Sequence, residues 1–572
     1  MLFAAPDAAA MGIPKRKGDV PSFATGDCGS VPDGIPSWLI DSGEDSFRGV
    51  RMTGRVDRHS SLLMIGLDAA DPTLIRKWMA AGLLPNLSAL LSRGGWATLD
   101  PTPDWMVGAL WPSFYSSSTV EHFGMYHYLV WRPERMATER PEPQWMPLEP
   151  FWRDLPALGR RVIAVDVPLC YPPNDYPGVE VSGWATHEIL HAPGSSPAGL
   201  LNEIRREFGP PPLPEESACQ LTAAECLAAR DQCIEAARQV GELGRALMQR
   251  HPWDLSLVCF SSTHRGGHLL WDRTILDDGA TPAQLERIEQ GLRDIYVACD
   301  SAVGRLVETA GEQAAVMVFS LHGMGPNSDR TGILPEMLLR ILEDRRSEGE
   351  PIRPVRLADR LRRLAPEEWR NRIKRRLPRW LQDRLTVYWR LSRVDWSHTR
   401  AFLAFCDLDG YVRINLRGRE REGIVGAEDY RPLCEAIAAG LRSFRDADTG
   451  EPVVREIGFA EQVFAPGPRR LYLPDLIVRW VDSPASLHRR IVSDRYGFIP
   501  WPRPGRPPLG RSGNHSRQGF LIAGGAAFGH ERLPASARLI DLAPTAMHLL
   551  GIPKPASFQG RSLLSGALPL SP

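Results

Sequence analysis

Net charge is the first thing this chain lacks. Its 68 lysines and arginines balance 68 aspartates and glutamates, so no global field favours nucleic acid or a membrane surface, and any anion site must be local. Cysteine is sparse as well: nine residues, odd in number and without a CxxC pair. That excludes a disulfide framework or a zinc ribbon and fits a reducing compartment. No apolar run approaches the roughly 20 residues that span a bilayer. The opening MLFAAPDAAAMGIPKRKG has too short an apolar core and the wrong charge order for a secretory signal. The expectation is a soluble, cytoplasmic protein with no transmembrane segment and no sequence-specific nucleic-acid partner.

What is present is length and a rhythm. At 572 residues the chain exceeds what one core usually supports, so a large domain with insertions, or two domains, is expected. Residues 1–58 are rich in Gly, Pro, Ser and Asp without periodicity and are read as a disordered N-terminal segment. Short apolar runs follow: SLLMIGLDAADP near Leu62, RVIAVDVPLC near Val162, LSLVCF over Leu255–Phe260, AAVMVFSLHG near Val316 and QGFLIAGG near Leu521. Continuous runs of this length suit strands buried on both faces of a parallel sheet. Helical patterns lie between them, over Pro72–Gly94 and Asp231–His251, so the fold class is α/β, a mostly parallel central sheet flanked by helices.

Residues 345–393 interrupt that rhythm with an Arg-rich amphipathic stretch. DGYVRINLRGRE and LPDLIVRW come after it, and their alternation suits half-buried strands. This region reads as an inserted α+β cap, dividing the chain into a first core part (59–344), a cap (345–470) and a second core part (471–565). The Arg run is either a solvated helix face or a surface for an anionic partner or lipid.

In an open α/β sheet, ligands collect beyond the carboxyl ends of the strands. Asp68, His264, His268 and His322 each follow an apolar run, and His515, in GRSGNHSRQG, precedes FLIAGG. Neutral imidazole and carboxylate are ligands for Zn²⁺ and similar ions, and several of them at one edge are costly without an ion to compensate them. The HxxxH spacing of STHRGGH can equally be two incidental histidines. Arg265, Arg511 and Arg517 flank these histidines and are candidate partners for an anionic substrate. Trp105, Trp111 and Trp271 either wall the pocket or fill the core.

The blocks LLMIGLDAADP, GALWPSFYSSSTVEHFGMYHY, FSSTHRGGHLLWD, VFSLHGMGPN and RSGNHSRQGFLIAGG, in this order, resemble the alkaline phosphatase superfamily, in its type I phosphodiesterase and nucleotide pyrophosphatase branch. The resemblance implies an alkaline phosphatase-like core with two metal ions, commonly zinc, flanking a Ser or Thr nucleophile. It implies one metal at His264, His268 and His515, where the family most often has Asp, His and His. It implies a second at Asp68 and His322, with Leu321 standing where the family has Asp. The nucleophile position is Val107, which has no lone pair.

Three neutral histidines around Zn²⁺ leave an open position and lower a bound water's pKa to about 7. The second ion keeps only two ligands unless Asp71, Asp104, Asp329 or a substrate oxygen completes it. One firm metal (Zn²⁺, or else Mn²⁺ or Fe) and a weak or absent second are therefore expected. The function this implies is a metal-dependent hydrolase or transferase acting on a small anionic phosphodiester, phosphomonoester or sulfate ester, using metal-activated water in place of a covalent intermediate. Asp68 and His322 would then serve as bases or orienters. Nearby hydroxyls from Thr102 to Thr119 stand as substitutes for the nucleophile or as turn and capping groups. The alternatives are a non-catalytic relative that binds an anionic ligand or protein partner, and a site remodelled for other biosynthetic chemistry.

Overall fold

A computed structural model describes residues 61–564, without 101–105, 146–148, 173–175, 187–189, 191, 215–220, 273–278, 407, 503, 507, 526–527, 529–532 and, but for three isolated positions, 349–393. The N-terminal segment, most of the Arg-rich stretch, and Thr102, Asp104 and Trp105 lie outside the described residues.

Nine strands form the central sheet: β1 (Leu62–Leu67), β2 (Gly94–Leu99), β3 (Val162–Val165), β4 (Val179–Ser182), β5 (Gly194–Ser196), β6 (Leu255–Phe260), β7 (Ala315–Ser320), β8 (Gly519–Gly524) and β9 (Ser536–Ala537). Their spatial order is β9-β2-β8-β7-β1-β6-β3-β4-β5. From β7 through β4 the neighbours run parallel, while β8 is antiparallel to both β2 and β7. All five apolar runs are strands of this sheet. Their continuous hydrophobicity has a direct cause: Leu62 and Met64 face one core and Leu63, Ile65 and Leu67 the other, so every β1 position is buried.

The helices cover both faces: α1 (Pro72–Ala80), α2 (Pro85–Ser92), α3 (Leu110–Ser116), α4 (Ala223–Arg250), α5 (Ser262–Leu270), α6 (Pro282–Ala310) and α7 (Leu542–Leu549). The pattern over Pro72–Gly94, expected as one helix, is two. The chain turns at Gly82 with φ +73°, and Pro85 opens α2, where its missing N–H is not needed. α4 begins earlier than the Asp231–His251 pattern because Thr222 and Glu225 form a reciprocal cap. Thr281 and Gln284 do the same for α6.

A second, antiparallel sheet orders its strands as Ala401–Leu403, Gly410–Ile414, Leu476–Trp480 and Val454–Phe459. The strands expected to be half-buried are buried on both faces. The polar positions that suggested a wet face are consumed internally. Arg413 binds Glu420, and Arg419 joins Glu420 to Asp475, all with almost no exposure; Arg479 binds Glu456 at 3.0 Å. The turn after the strand Gly323–Pro326 is latched to this region by Arg330. Its Nε–H donates to His488 Nε2 at 2.9 Å, and its Nη atoms donate to the Val481 and Ser483 carbonyls. His488 Nδ1–H in turn donates to Asp446 Oδ2.

Among the described residues, seven cysteines are free and no disulfide is present. Among them, too, no helix is long and apolar enough to cross a membrane.

Candidate functional site

β1, β6 and β7 are neighbours at the centre of the sheet and end on one edge, which is where a crevice forms. Asp68 leaves β1 with its N–H still on the β6 ladder, donating to Phe260 O at 2.9 Å. Thr263 Oγ donates to Asp68 O at 2.6 Å, and Ser320 Oγ accepts the Ala70 N–H. The β1 turn is thus tied on both sides before any side chain reaches the cleft.

His264 and His268, one helical turn apart on α5, share a face. The fourth imidazole arrives from the far end of the chain. Gly513–Ser516 pairs antiparallel with Gly323–Pro326, placing His515 opposite Met324. A close approach permits it: a Cβ on Gly513 would stand 2.3 Å from Gly267 O, so only glycine lets this strand lie against α5. His264, His268 and His515 have ring centroids 4.7–4.8 Å apart, and His322 lies 4.7 Å from His515. All four rings and Asp68 are buried.

The ring orientations are set from outside. His268 Nδ1–H donates to Gly513 O at 2.9 Å and His322 Nδ1–H to Gly323 O at 3.2 Å. His264 Nδ1 meets Asp68 Oδ2 at 2.9 Å. Three rings thereby turn Nε2 inward, the usual arrangement for histidines that hold a metal. His264 Nε2 and His268 Nε2 stand 3.1 Å apart, and His322 Nε2 is 3.5 Å from Asp68 Oδ1. His515 Nδ1 is buried with no hydrogen-bond partner among the described residues. Burial, then the charges of His322, His268, His264 and Arg511, push its pKa well below the ordinary imidazole value, which keeps it neutral and able to ligate. One ligand atom each from His264, His322 and His515 lies within 4.8 Å of the others. A buried neutral imidazole without a partner, in a cluster of four, fits a divalent ion.

The sequence had grouped His264, His268 and His515 at one ion and Asp68 with His322 at another; in the structure all five form a single cluster. Val107 is half-buried against the apolar core, and Leu321 is buried. Three of the hydroxyls near Val107 are occupied: Ser116 Oγ donates to Pro112 O, Ser117 Oγ to Ile540 O and Thr119 Oγ to Glu121 Oε1. Asp71 caps α1 through the Leu74 N–H, and Asp329 accepts the Thr331 N–H.

Of the arginines, Arg511 is near enough to oppose protonation of His515. Arg517 donates to Asp409 Oδ2 at 3.1 Å. Arg265 is buried, and its charge acts on the Cys233 thiol of α4, a direction about 100° round the helix from His264.

Sequence reasoning left Trp111 undecided between wall and filler. Its indole N–H donates to Asp68 Oδ1 at 3.0 Å. The contact depends on Gly66, where a Cβ would stand 2.9 Å from the Trp111 ring and from Cys259 Sγ. Nothing in the local pattern distinguishes this tryptophan from the other apolar residues of α3.

The family model for type I phosphodiesterase / nucleotide pyrophosphatase matches residues 62–401. No curated protein matches the chain. Among solved structures, phosphonoacetate hydrolase from Sinorhizobium meliloti 1021 in complex with phosphonoformate is 13% identical, covering 88% of this chain and all of that one, with a TM-score of 0.47. An inactive form of murine ectonucleotide pyrophosphatase / phosphodiesterase 5 in complex with AMP is 11% identical, covering 86% and 95%, with a TM-score of 0.40. At these scores neither likeness bears on chemistry.

Proposed function

The chain belongs to the type I phosphodiesterase / nucleotide pyrophosphatase family of the alkaline phosphatase superfamily, and from that premise we propose that it hydrolyses a small anionic phosphoester with one divalent ion and no covalent enzyme intermediate. The observation that carries this is the convergence of four imidazoles and one carboxylate at the ends of β1, β6 and β7. His264, His322 and His515 are close enough to share an ion, and His268 Nε2 stands beside them, 3.1 Å from His264 Nε2. Zinc suits an all-nitrogen site best, with manganese or iron as alternatives. When bound, such an ion supplies Lewis acidity toward a phosphoryl oxygen and acidifies water.

The remaining work falls to the protein. Asp68 holds His264 by Nδ1, leaving Nε2 for ligation, and is itself held by Trp111. Asp68 Oδ1, 3.5 Å from His322 Nε2, takes up the proton of the attacking water. Arg511, beside His515, offers positive charge to the substrate anion. Val107 and Leu321 put hydrocarbon where the family carries its nucleophile and a carboxylate ligand, so neither phosphoryl transfer to a side chain nor a tightly held second ion is supported.

Elemental mass spectrometry on untagged protein, with turnover measured on a panel of phosphodiesters, monoesters and sulfate esters, tests this reading. About one equivalent of zinc, lost in His268→Ala together with turnover, supports it. Full activity and metal content in that variant would sink it. A second reading, a non-catalytic anion binder, is favoured by Val107 and Leu321 and predicts stoichiometric ligand binding without turnover on any ester.

A further inference from the structure

Asn327 follows the strand that faces His515, and its buried amide uses all four of its hydrogen-bonding positions. Nδ2 donates to Pro508 O at 3.0 Å and to Arg511 O at 2.9 Å. Oδ1 accepts the Asp329 N–H at 3.0 Å and Asn514 Nδ2 at 3.4 Å. The main chain adds two bonds, its N–H donating to Ser512 O at 3.2 Å and its carbonyl accepting the Ala485 N–H at 2.8 Å.

The residues it grips surround the histidines. Asn514 Oδ1 accepts the His515 N–H at 2.9 Å. The Ser512 N–H donates to His268 O at 2.8 Å, and Ser512 Oγ accepts the Trp271 N–H at 2.9 Å. One side chain therefore fixes the segment 508–514 that leads into His515. The main chain of Asn327 adds links of its own, through Ser512 to the last turn of α5 and through Ala485 to the turn 484–488, which carries His488 of the Arg330 latch.

No other residue reproduces this. Aspartate would set a carboxylate oxygen against two carbonyl oxygens. Alanine would take a partner from two carbonyls and two N–H groups in a largely buried seam. Glutamine is a methylene too long for a turn that closes on Asp329.

We propose that Asn327 is a positioning residue of the histidine cluster: through its side-chain hold on the segment 508–514 it sets where His515 stands relative to His264 and His268. The geometric part stands on the hydrogen bonds alone, while its consequence for metal binding rests on the function proposed above.

The test compares the full chain with Asn327→Ala by amide hydrogen exchange in the metal-free protein, zinc affinity by chelator competition, and the visible spectrum of the Co²⁺-loaded protein. Faster exchange over 508–516, zinc affinity weakened about 10- to 100-fold and a changed Co²⁺ band are expected. Unchanged exchange over 508–516 overturns the proposal whether or not metal binds. Faster exchange with zinc affinity and Co²⁺ band unaltered also overturns it, because the histidines would then be placed independently. If the natural protein takes up no zinc, the metal reading falls and the exchange result alone decides the positioning. Should Asn327→Ala fail to accumulate, Asn514→Ser, which cuts the bonds of Asn514 to Asn327 and to the His515 N–H, is read by exchange over 514–516 and by the same zinc and Co²⁺ criteria.

Discussion

Replacing Trp111 by phenylalanine probes the contact through which α3 holds the Asp68 carboxylate. The indole N–H meets Asp68 Oδ1 at 3.0 Å, with both side chains buried, so no solvent stands ready to replace the bond. A hydrogen bond to a charged acceptor is worth roughly 1.5–3 kcal/mol. Trp111→Phe also leaves a void beside Gly66, and Asp68→Ala, which removes the acceptor, also removes the pairing with His264. A double-mutant cycle cancels both side effects and leaves the indole–carboxylate interaction, expected at about 1.5–3 kcal/mol. Urea denaturation of the natural protein, both single variants and the double variant supplies the four values, with fluorescence and circular dichroism transitions required to coincide. A coupling under about 0.5 kcal/mol, the usual limit for independent sites, would refute the idea that the indole orients this carboxylate.

Further tests address the rest of the site. Gly66→Ala should destabilise by about 1–3 kcal/mol, because its Cβ meets Cys259 Sγ and the Trp111 ring at 2.9 Å; a melting curve without a lowered midpoint would argue against that packing. The double change Val107→Thr, Leu321→Asp should raise zinc stoichiometry from one toward two, read by elemental mass spectrometry, and a ratio that stays at one would show that a second site is blocked elsewhere. In acid, His488 should cost stability. Burial holds its folded pKa below the ordinary imidazole value, and its Nε2 must stay unprotonated to accept from Arg330. The unfolded state therefore binds the extra proton, and this contribution is complete above about pH 6.5 and lost as pH falls toward the folded value. Asp166 works the other way, since burial raises its carboxyl to about 7, so its contribution declines as pH rises from about 4 to 7. His488→Gln should flatten the acid limb of melting temperature against pH, and an unchanged slope would exclude His488 as its source.

The sheet was legible because burial on both faces leaves a mark in the sequence: runs such as Leu62–Leu67 and Leu255–Phe260 carry no polar face. Strand direction leaves no such mark, and β8 runs antiparallel inside an otherwise parallel neighbourhood. The cap strands misled because Arg413 and Arg479 look like solvent-facing positions, although both are buried against carboxylates. At the site, the five ligand-type residues were readable from their places beside strand candidates. Their mutual distances were not, because these depend on how far β1, β6 and β7 let opposing side chains approach. Trp111 and Asn327 were illegible for a related reason: what each does depends on hydrogen bonds to residues distant in sequence, Asp68 for the first and Pro508, Arg511 and Asn514 for the second.

β8 occupies the slot between β2 and β7, yet it leaves the ribosome about two hundred residues after β7. At roughly 5–20 residues per second, that is about 10–40 s during which two apolar strand edges have no neighbour. His515 lies just ahead of β8 in the same late segment, so the histidine cluster cannot be complete until about the time the edges are sealed. Chains cut short ahead of residue 513 would lack His515 and would carry exposed edges on β2 and β7 that can template association with one another, a hazard that a sequentially built sheet does not meet.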